Sequence, residues 1–203
     1  MNWSHASQIV ESLRRDTSLY LPALSPRAGF SSPRVEHLLK GLRQVCPEEE
    51  DYVEIGVLEG RTLMAAASAG VGTCIGVDPC TKYGVTPNGF PPHVHFLRKA
   101  WQDLQHSDLP RPIGVLFYDG DHSLEQTRDC LLALTPRLAS EAVIVVDDWD
   151  RAEVRDGAFA ALSLRPAWRL LRELPEYTGG PQSPPNHTGY YYGVALIGAT
   201  GAD

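Results

Sequence analysis

The chain has no run of basic residues and no basic-aromatic stripe, and its formal net charge is -7 over 203 residues. Nucleic acid, which is held mainly through cationic contacts to phosphate, is therefore not an expected partner. No apolar run approaches the ~20 residues needed to cross a bilayer. Met1-Asn2-Trp3-Ser4-His5 lacks the basic-then-apolar order of a secretory signal, so a cytoplasmic location is expected. Cysteine is scarce. Cys46, Cys74, Cys80 and Cys130 show no C-x-x-C spacing, which excludes a zinc or disulfide framework and suits reduced thiols. The six histidines other than His122 include no i, i+4 ligand pair, and His93 and His95 read as structural. There is also no G-x-G-x-x-G, the fingerprint of dinucleotide binding, and no Tyr-x-x-x-Lys pair.

What is present describes a globular α/β protein. A hydrophobic fraction of 43% and a charged fraction of 21% support one domain over residues 1–203. Residues 1–47 are expected as an N-terminal helical cap that serves substrate or a homodimer. Its helices are Ser4–Arg15 and one capped by Ser32-Pro33 that ends near Cys46. Strands are expected near 52–56, 73–78, 94–98, 113–118 and 142–147, with helices near 61–69, 101–106, 123–138 and 150–163. This alternation predicts a three-layer Rossmann-like fold with a mostly parallel sheet. Two further strands, Trp168–Leu174 and Tyr190–Ile197, have no helix between them. They predict a C-terminal hairpin with one antiparallel member, seven strands in all.

The most informative segment is Tyr52-Val53-Glu54-Ile55-Gly56-Val57-Leu58-Glu59-Gly60-Arg61-Thr62. An apolar strand runs into a glycine turn and then into the helix-forming Leu63-Met64-Ala65-Ala66-Ala67. Glycines there let a small cofactor lie against bare backbone. Glu54 repels a pyrophosphate but suits the ammonium and sulfonium of S-adenosylmethionine. The plain alternative is a corner whose glycines serve packing alone. Asp78 ends the second strand about 20 residues on, where an acid can bond ribose hydroxyls.

Strands four and five end in Asp119-Gly120-Asp121-His122 and Asp147-Asp148. Parallel neighbours deliver these ends to one crevice, and three carboxylates there call for a positive partner. A divalent cation such as Mg²⁺ fits. The alternative is that the acids cap helices, with Ser123 and Asp148 as candidate caps. His122, three residues after Asp119, is a candidate general base or else a loop-packing histidine.

This combination resembles the class I S-adenosylmethionine-dependent methyltransferases, and within them the small metal-dependent O-methyltransferases of catechol and macrolide-sugar or other natural-product type. The likeness covers roughly residues 50–150. It implies that Glu54, Gly56, Gly60 and Thr62 hold the methionine part, that Asp78 binds ribose, and that Trp101 and Gln102 edge the adenine. It also implies that Asp119, Asp147 and Asp148 are metal ligands, with Asp119 bordering the cofactor as well. Where catechol enzymes carry a lysine base, this chain has His122, which is similar to the sugar enzymes. The resemblance therefore implies methyl transfer to a hydroxyl of a small sugar or natural-product molecule, with Asp119 and His122 catalytic. Two rivals stay open: a nicotinamide-dependent oxidoreductase or epimerase, and a non-catalytic S-adenosylmethionine-binding module. Residues 1–32 and the loops 82–92 and 175–189 are candidate walls of an acceptor pocket; Tyr177 and Tyr190–Tyr192 either line it or, in the last strand, simply alternate between core and edge, which is the preferred reading.

Overall fold

All five residues of β1 (Asp51–Ile55) are buried, and so are all six of β4 (Ile113–Tyr118). Successive side chains of a strand point to opposite faces, so such strands require a covering layer on each side. The computed structural model supplies both layers. It describes residues 3–15, 23–25, 27, 29, 31–79, 89–174 and 193–201. The expectations for Cys80, residues 82–88, the loop 175–189, Tyr177 and Tyr190–Tyr192 lie outside these residues.

The remaining strands are β2 (Cys74–Val77), β3 (Val94–Leu97), β5 (Leu138–Val146), β6 (Arg169–Leu174) and β7 (Val194–Ala199). They form one seven-stranded sheet in the order β3-β2-β1-β4-β5-β7-β6. Pairs from β3 through β5 are parallel, and β7 is antiparallel to both of its neighbours, β5 and β6. This is the predicted mostly parallel sheet with one antiparallel strand, here wedged between β5 and β6.

Helices α1 (Trp3–Arg15), α2 (Pro33–Val45) and α3 (Arg61–Ala67) accompany a core containing Leu38, Leu42, Leu63, Tyr52, Phe117 and Val145. Helices α4 (Leu124–Leu134) and α5 (Ala152–Ser163) accompany a second core with Val53, Ile55, Leu116, Tyr118, Leu131 and Ile144. The period-two alternation along β1 and β4 thus sorts neighbouring residues into two layers. The Ser32 hydroxyl caps α2 by accepting from the Val35 amide at 3.2 Å, with Pro33 in the first turn.

Three local expectations are corrected. The helix expected at 101–106 is two short 3₁₀ turns, Trp101–Asp103 and His106–Asp108, separated by an extended Leu104-Gln105. Asp108 stabilises the second by accepting from the Gln105 amide at 2.7 Å and from Lys99 at 2.9 Å. The helix expected at 123–138 stops at Leu134, because Pro136 turns the chain into a 3₁₀ turn and β5 starts at Leu138. Asp148 caps no helix: α5 begins at Ala152 with Arg151 at its cap position.

Candidate active site

Four strand ends are stitched together at the carboxyl edge of the sheet. The Gly56 amide donates to the Val77 carbonyl at 2.9 Å, the Asp119 amide to Ile55 at 2.8 Å, and the Asp147 amide to Tyr118 at 2.9 Å. These bonds bring the ends of β1, β2, β4 and β5 to one crevice. Gly56 lies at φ +87°, and a Cβ built on it would sit 1.9 Å from the Asp119 carbonyl oxygen. No residue but glycine fits there. Gly60, at φ +85°, caps α3 in a left-handed conformation without a side-chain bond.

Asp78 fixes the turn between these glycines. Its Oδ2 accepts from the Val57 and Leu58 amides, both at 2.8 Å. Leu58 is thereby held at φ +48°, a conformation that ordinarily costs an L-residue about 1 kcal/mol. A cavity of about 1130 Å³ opens above, lined by Gly56, Thr62, Asp78, Trp101, Gln102, Asp119, His122, Asp147 and Asp148 among others. The structure therefore gathers nine of the eleven sequence-predicted site residues around one space.

Glu54 and Gly60 are not on its wall. Glu54 has no exposed surface and lies beneath the turn, with Oε1 accepting from the Thr62 hydroxyl and Oε2 from the Tyr52 hydroxyl, each at 2.7 Å. Burial raises its pKa to about 8, against the pull of those two hydrogen bonds. The ordinary value is 4.5, so between pH 4.5 and about 8 the folded chain keeps a proton that the unfolded chain has released. Stability from this group is thus fully present below pH 4.5 and falls with rising pH across the window, by up to ~1.4 kcal/mol per unit. Glu54→Gln should abolish that trend. Urea titrations from pH 5 to 8.5 should show the wild type losing stability relative to the variant; a constant difference would mean that Glu54 is ionised in the fold.

The acid cluster lies across the crevice. Burial, and then the neighbouring Asp147 and Asp148, raise the Asp119 pKa well above the carboxylate range. Burial and then Asp148 raise that of Asp147 to about 8. Asp119, His122 and Asp148 each present a ligand atom within 4.8 Å of the others. Asp147 is on the cavity wall but outside that triangle. Asp148 reaches into it because its backbone adopts φ +51°. His122 Nε2 lies 2.5 Å from Asp148 Oδ2, yet the buried Nε2 makes no hydrogen bond. His122 and Asp148 are thus close enough to pair directly when the ring is protonated, and with Asp119 they form one group of donors. With two carboxylates and an imidazole, the donor set suits a divalent cation.

Sequence reasoning missed several neighbours. Arg151 Nη1 lies 3.1 Å from His122 Nδ1. Gln126 on α4 accepts from Gln102 Nε2 at 2.8 Å beside Trp101. Arg61 borders the glycine turn. Arg61 was visible inside the motif itself, whereas no residue pattern signals the other two contacts.

The glycine turn, the acids ending β2, β4 and β5, and this sheet have the arrangement of the Rossmann-like methyltransferase fold. Residues 53–149, from β1 through the end of β5, match the family model described as "Methyltransferase domain". No curated protein sequence matches the chain. Among solved structures, the cofactor-bound Rv0187 from MTB is similar at TM-score 0.61 and 16% identity, covering 98% of this chain and 91% of that one. An O-methyltransferase from Bacillus cereus in complex with SAH is similar at TM-score 0.61 and 14% identity, covering 97% and 91%. CalS11, a TDP-rhamnose 3'-O-methyltransferase of calicheamicin biosynthesis, is similar at TM-score 0.56 and 14% identity, covering 99% and 94%. At these identities the likeness is one of fold. Among the described residues, no helix is long and apolar enough to cross a membrane.

Proposed function

We propose that the protein transfers the methyl group of S-adenosylmethionine to a hydroxyl oxygen of a small acceptor, with a divalent cation, Mg²⁺ by expectation, at the acid cluster. The observation that carries this is the convergence of Asp119, His122 and Asp148 on one point of the cavity floored by Gly56. CalS11 acts on a sugar hydroxyl, and a sugar or related natural-product acceptor is the class proposed here.

Each residue has a task. The backbone of Gly56–Leu58 and the Asp78 carboxylate shape the bed of the nucleoside, with Asp78 toward its ribose. Trp101 and Gln102, with Gln126 behind, border the position of the adenine. Asp119 and Asp148 would hold the cation, with Asp147 on the cavity wall beside them. Once bound, the cation polarises the acceptor hydroxyl and lowers its pKa. The walls align oxygen, methyl carbon and sulfur, and such alignment contributes much of the rate in a displacement.

His122 has two readings. As general base it takes the hydroxyl proton at Nε2, which needs a lone pair there and a proton on Nδ1 instead. Arg151 can only donate, so its contact at Nδ1 opposes that tautomer until its side chain turns away. As a third cation ligand, His122 likewise needs the lone pair at Nε2, so the Arg151 contact opposes this reading equally, and the triangle with Asp119 and Asp148 is what supports it. The two separate in one comparison. His122→Ala should lower kcat in both cases, by roughly 10²-fold or more. A ligand role also weakens Mg²⁺ activation at least tenfold, whereas a base role leaves the Mg²⁺ requirement unchanged.

The proposal as a whole is tested by turnover with a panel of sugar, catechol and other hydroxyl acceptors, with and without EDTA. Methyl transfer that stops in EDTA and returns with Mg²⁺ is the expected result. Full turnover in EDTA removes the cation, and SAH binding with no transfer to any acceptor favours the non-catalytic module.

A further inference from the structure

S-adenosylmethionine carries two cationic groups and one carboxylate, and the cavity wall is built for the cations. Outside the acid cluster, Glu59, Asp78 and Asp121 line it. A ligand carboxylate placed among them is repelled unless a cation meets it. Apart from His122, which belongs to the acid cluster, the one cationic side chain among the described lining residues is Arg61.

Arg61 is held in an unusual way. Its Nε donates to Glu36 Oε1 at 2.7 Å. Glu36 is on the first turn of α2 and fully buried, and its Oε2 accepts from the Leu24 amide at 2.6 Å and the Ser25 amide at 3.1 Å. One buried carboxylate thus ties the N-terminal segment to the arginine beside the glycine turn. The tie occupies Nε alone. Both terminal nitrogens of the fork make no hydrogen bond among the described residues, and the side chain stays partly exposed at the cavity. A guanidinium pinned through Nε still offers paired N–H groups in the plane that a carboxylate matches with two oxygens. The other polar group at this end, the Thr62 hydroxyl, is already committed to Glu54.

We infer that Arg61 binds the α-carboxylate of the cofactor, with Glu36 as the residue that positions it. This rests on the cofactor assignment above and adds a contact that the motif resemblance does not contain. Glu36 gives the guanidinium one orientation before the ligand arrives, so little side-chain entropy remains to be lost on binding.

The test pairs two ligands that differ at the group in question. S-adenosylhomocysteine carries the carboxylate; 5'-methylthioadenosine keeps the nucleoside thioether and lacks the amino-acid end. Arg61→Gln retains a donor toward Glu36 while removing the fork. By calorimetry, the Kd for S-adenosylhomocysteine should rise roughly 10- to 100-fold in Arg61→Gln, with that for 5'-methylthioadenosine within about twofold of wild type. Arg61→Lys should recover part of the loss. Unchanged binding of S-adenosylhomocysteine overturns the inference, and so does an equal loss for both ligands, which would make Arg61 a purely structural tie. Wild-type protein that binds neither ligand would instead remove the cofactor assignment on which the inference stands.

Discussion

Asp119→Asn should lower turnover by roughly 10³-fold or more while making the cation-free protein more stable. The first effect follows from the crevice: Asp119 joins the cavity wall to the triangle with His122 and Asp148. Loss of one carboxylate ligand forfeits several kcal/mol of stabilisation of a developing charge, and ~4 kcal/mol is about a thousandfold in rate. The second effect has the opposite sign for the same reason. Burial and the neighbouring Asp147 and Asp148 disfavour the Asp119 charge. A neutral isostere removes that repulsion and keeps the backbone bond from the Asp119 amide to Ile55. In EDTA the melting temperature should therefore rise by about 2–4 °C, equivalent to ~1 kcal/mol for a chain of this size. With Mg²⁺ present, the wild type should close that gap. Thermal scans of both proteins with and without Mg²⁺, beside a methyl-transfer assay, make the comparison. A variant that is both inactive and less stable without metal would show that Asp119 serves the fold, not the cation.

Gly56→Ala should be among the most damaging single-methyl changes at the described glycines. The added carbon would lie 1.9 Å from the Asp119 carbonyl oxygen and 2.5 Å from the Asp119 carbonyl carbon, and the backbone stands at φ +87°. Neither contact can yield by a side-chain rotation, since both partners are backbone. The ends of β1 and β4 must separate, breaking the bond between the Asp119 amide and Ile55. A cost of ~3 kcal/mol or more is expected, which lowers the melting temperature by about 10 °C. Gly60→Ala is the built-in comparison. Its φ of +85° is similar, but the nearest atom to the added carbon is the tip of Phe90 at 3.2 Å. That variant carries the conformational penalty of ~1 kcal/mol with little steric clash. Urea unfolding and SAH titration of both variants should separate them by ~2 kcal/mol in stability, with cofactor binding lost in Gly56→Ala alone. Equal effects would mean that the crossing of β1 and β4 is looser than its geometry.

How much was legible in the sequence depended on what each pattern reports. β1, β2 and β4 were readable because strands buried on both faces show as unbroken apolar runs, and the acids that follow mark where the sheet meets solvent. The start of β5 was not, since the exposed Ser140-Glu141 interrupts its apolar character. The segment after β3 carries polar residues in helix-like number but closes only 3₁₀ turns, a distinction settled by the Asp108 side chain. The crevice followed from topology, so Asp119, Asp147 and Asp148 were placed together correctly. Which of them share a point with His122 depends on the left-handed backbone of Asp148, and no residue type announced it. Glu54 was read as facing the cofactor. Its strand position puts it on the face covered by α3, where Thr62 and Tyr52 enclose it.

The place of β7 has a consequence for biosynthesis. Until Val194–Ala199 has been synthesised, β6 has no partner and β5 has one bare flank, because the strand that joins them comes last of the three. A chain released anywhere between residues 175 and 193 would leave β6 unpaired and one flank of β5 open, and such strand edges invite pairing between molecules. Premature stop codons in that window should accordingly give insoluble product, although every residue of the acid cluster has already been translated.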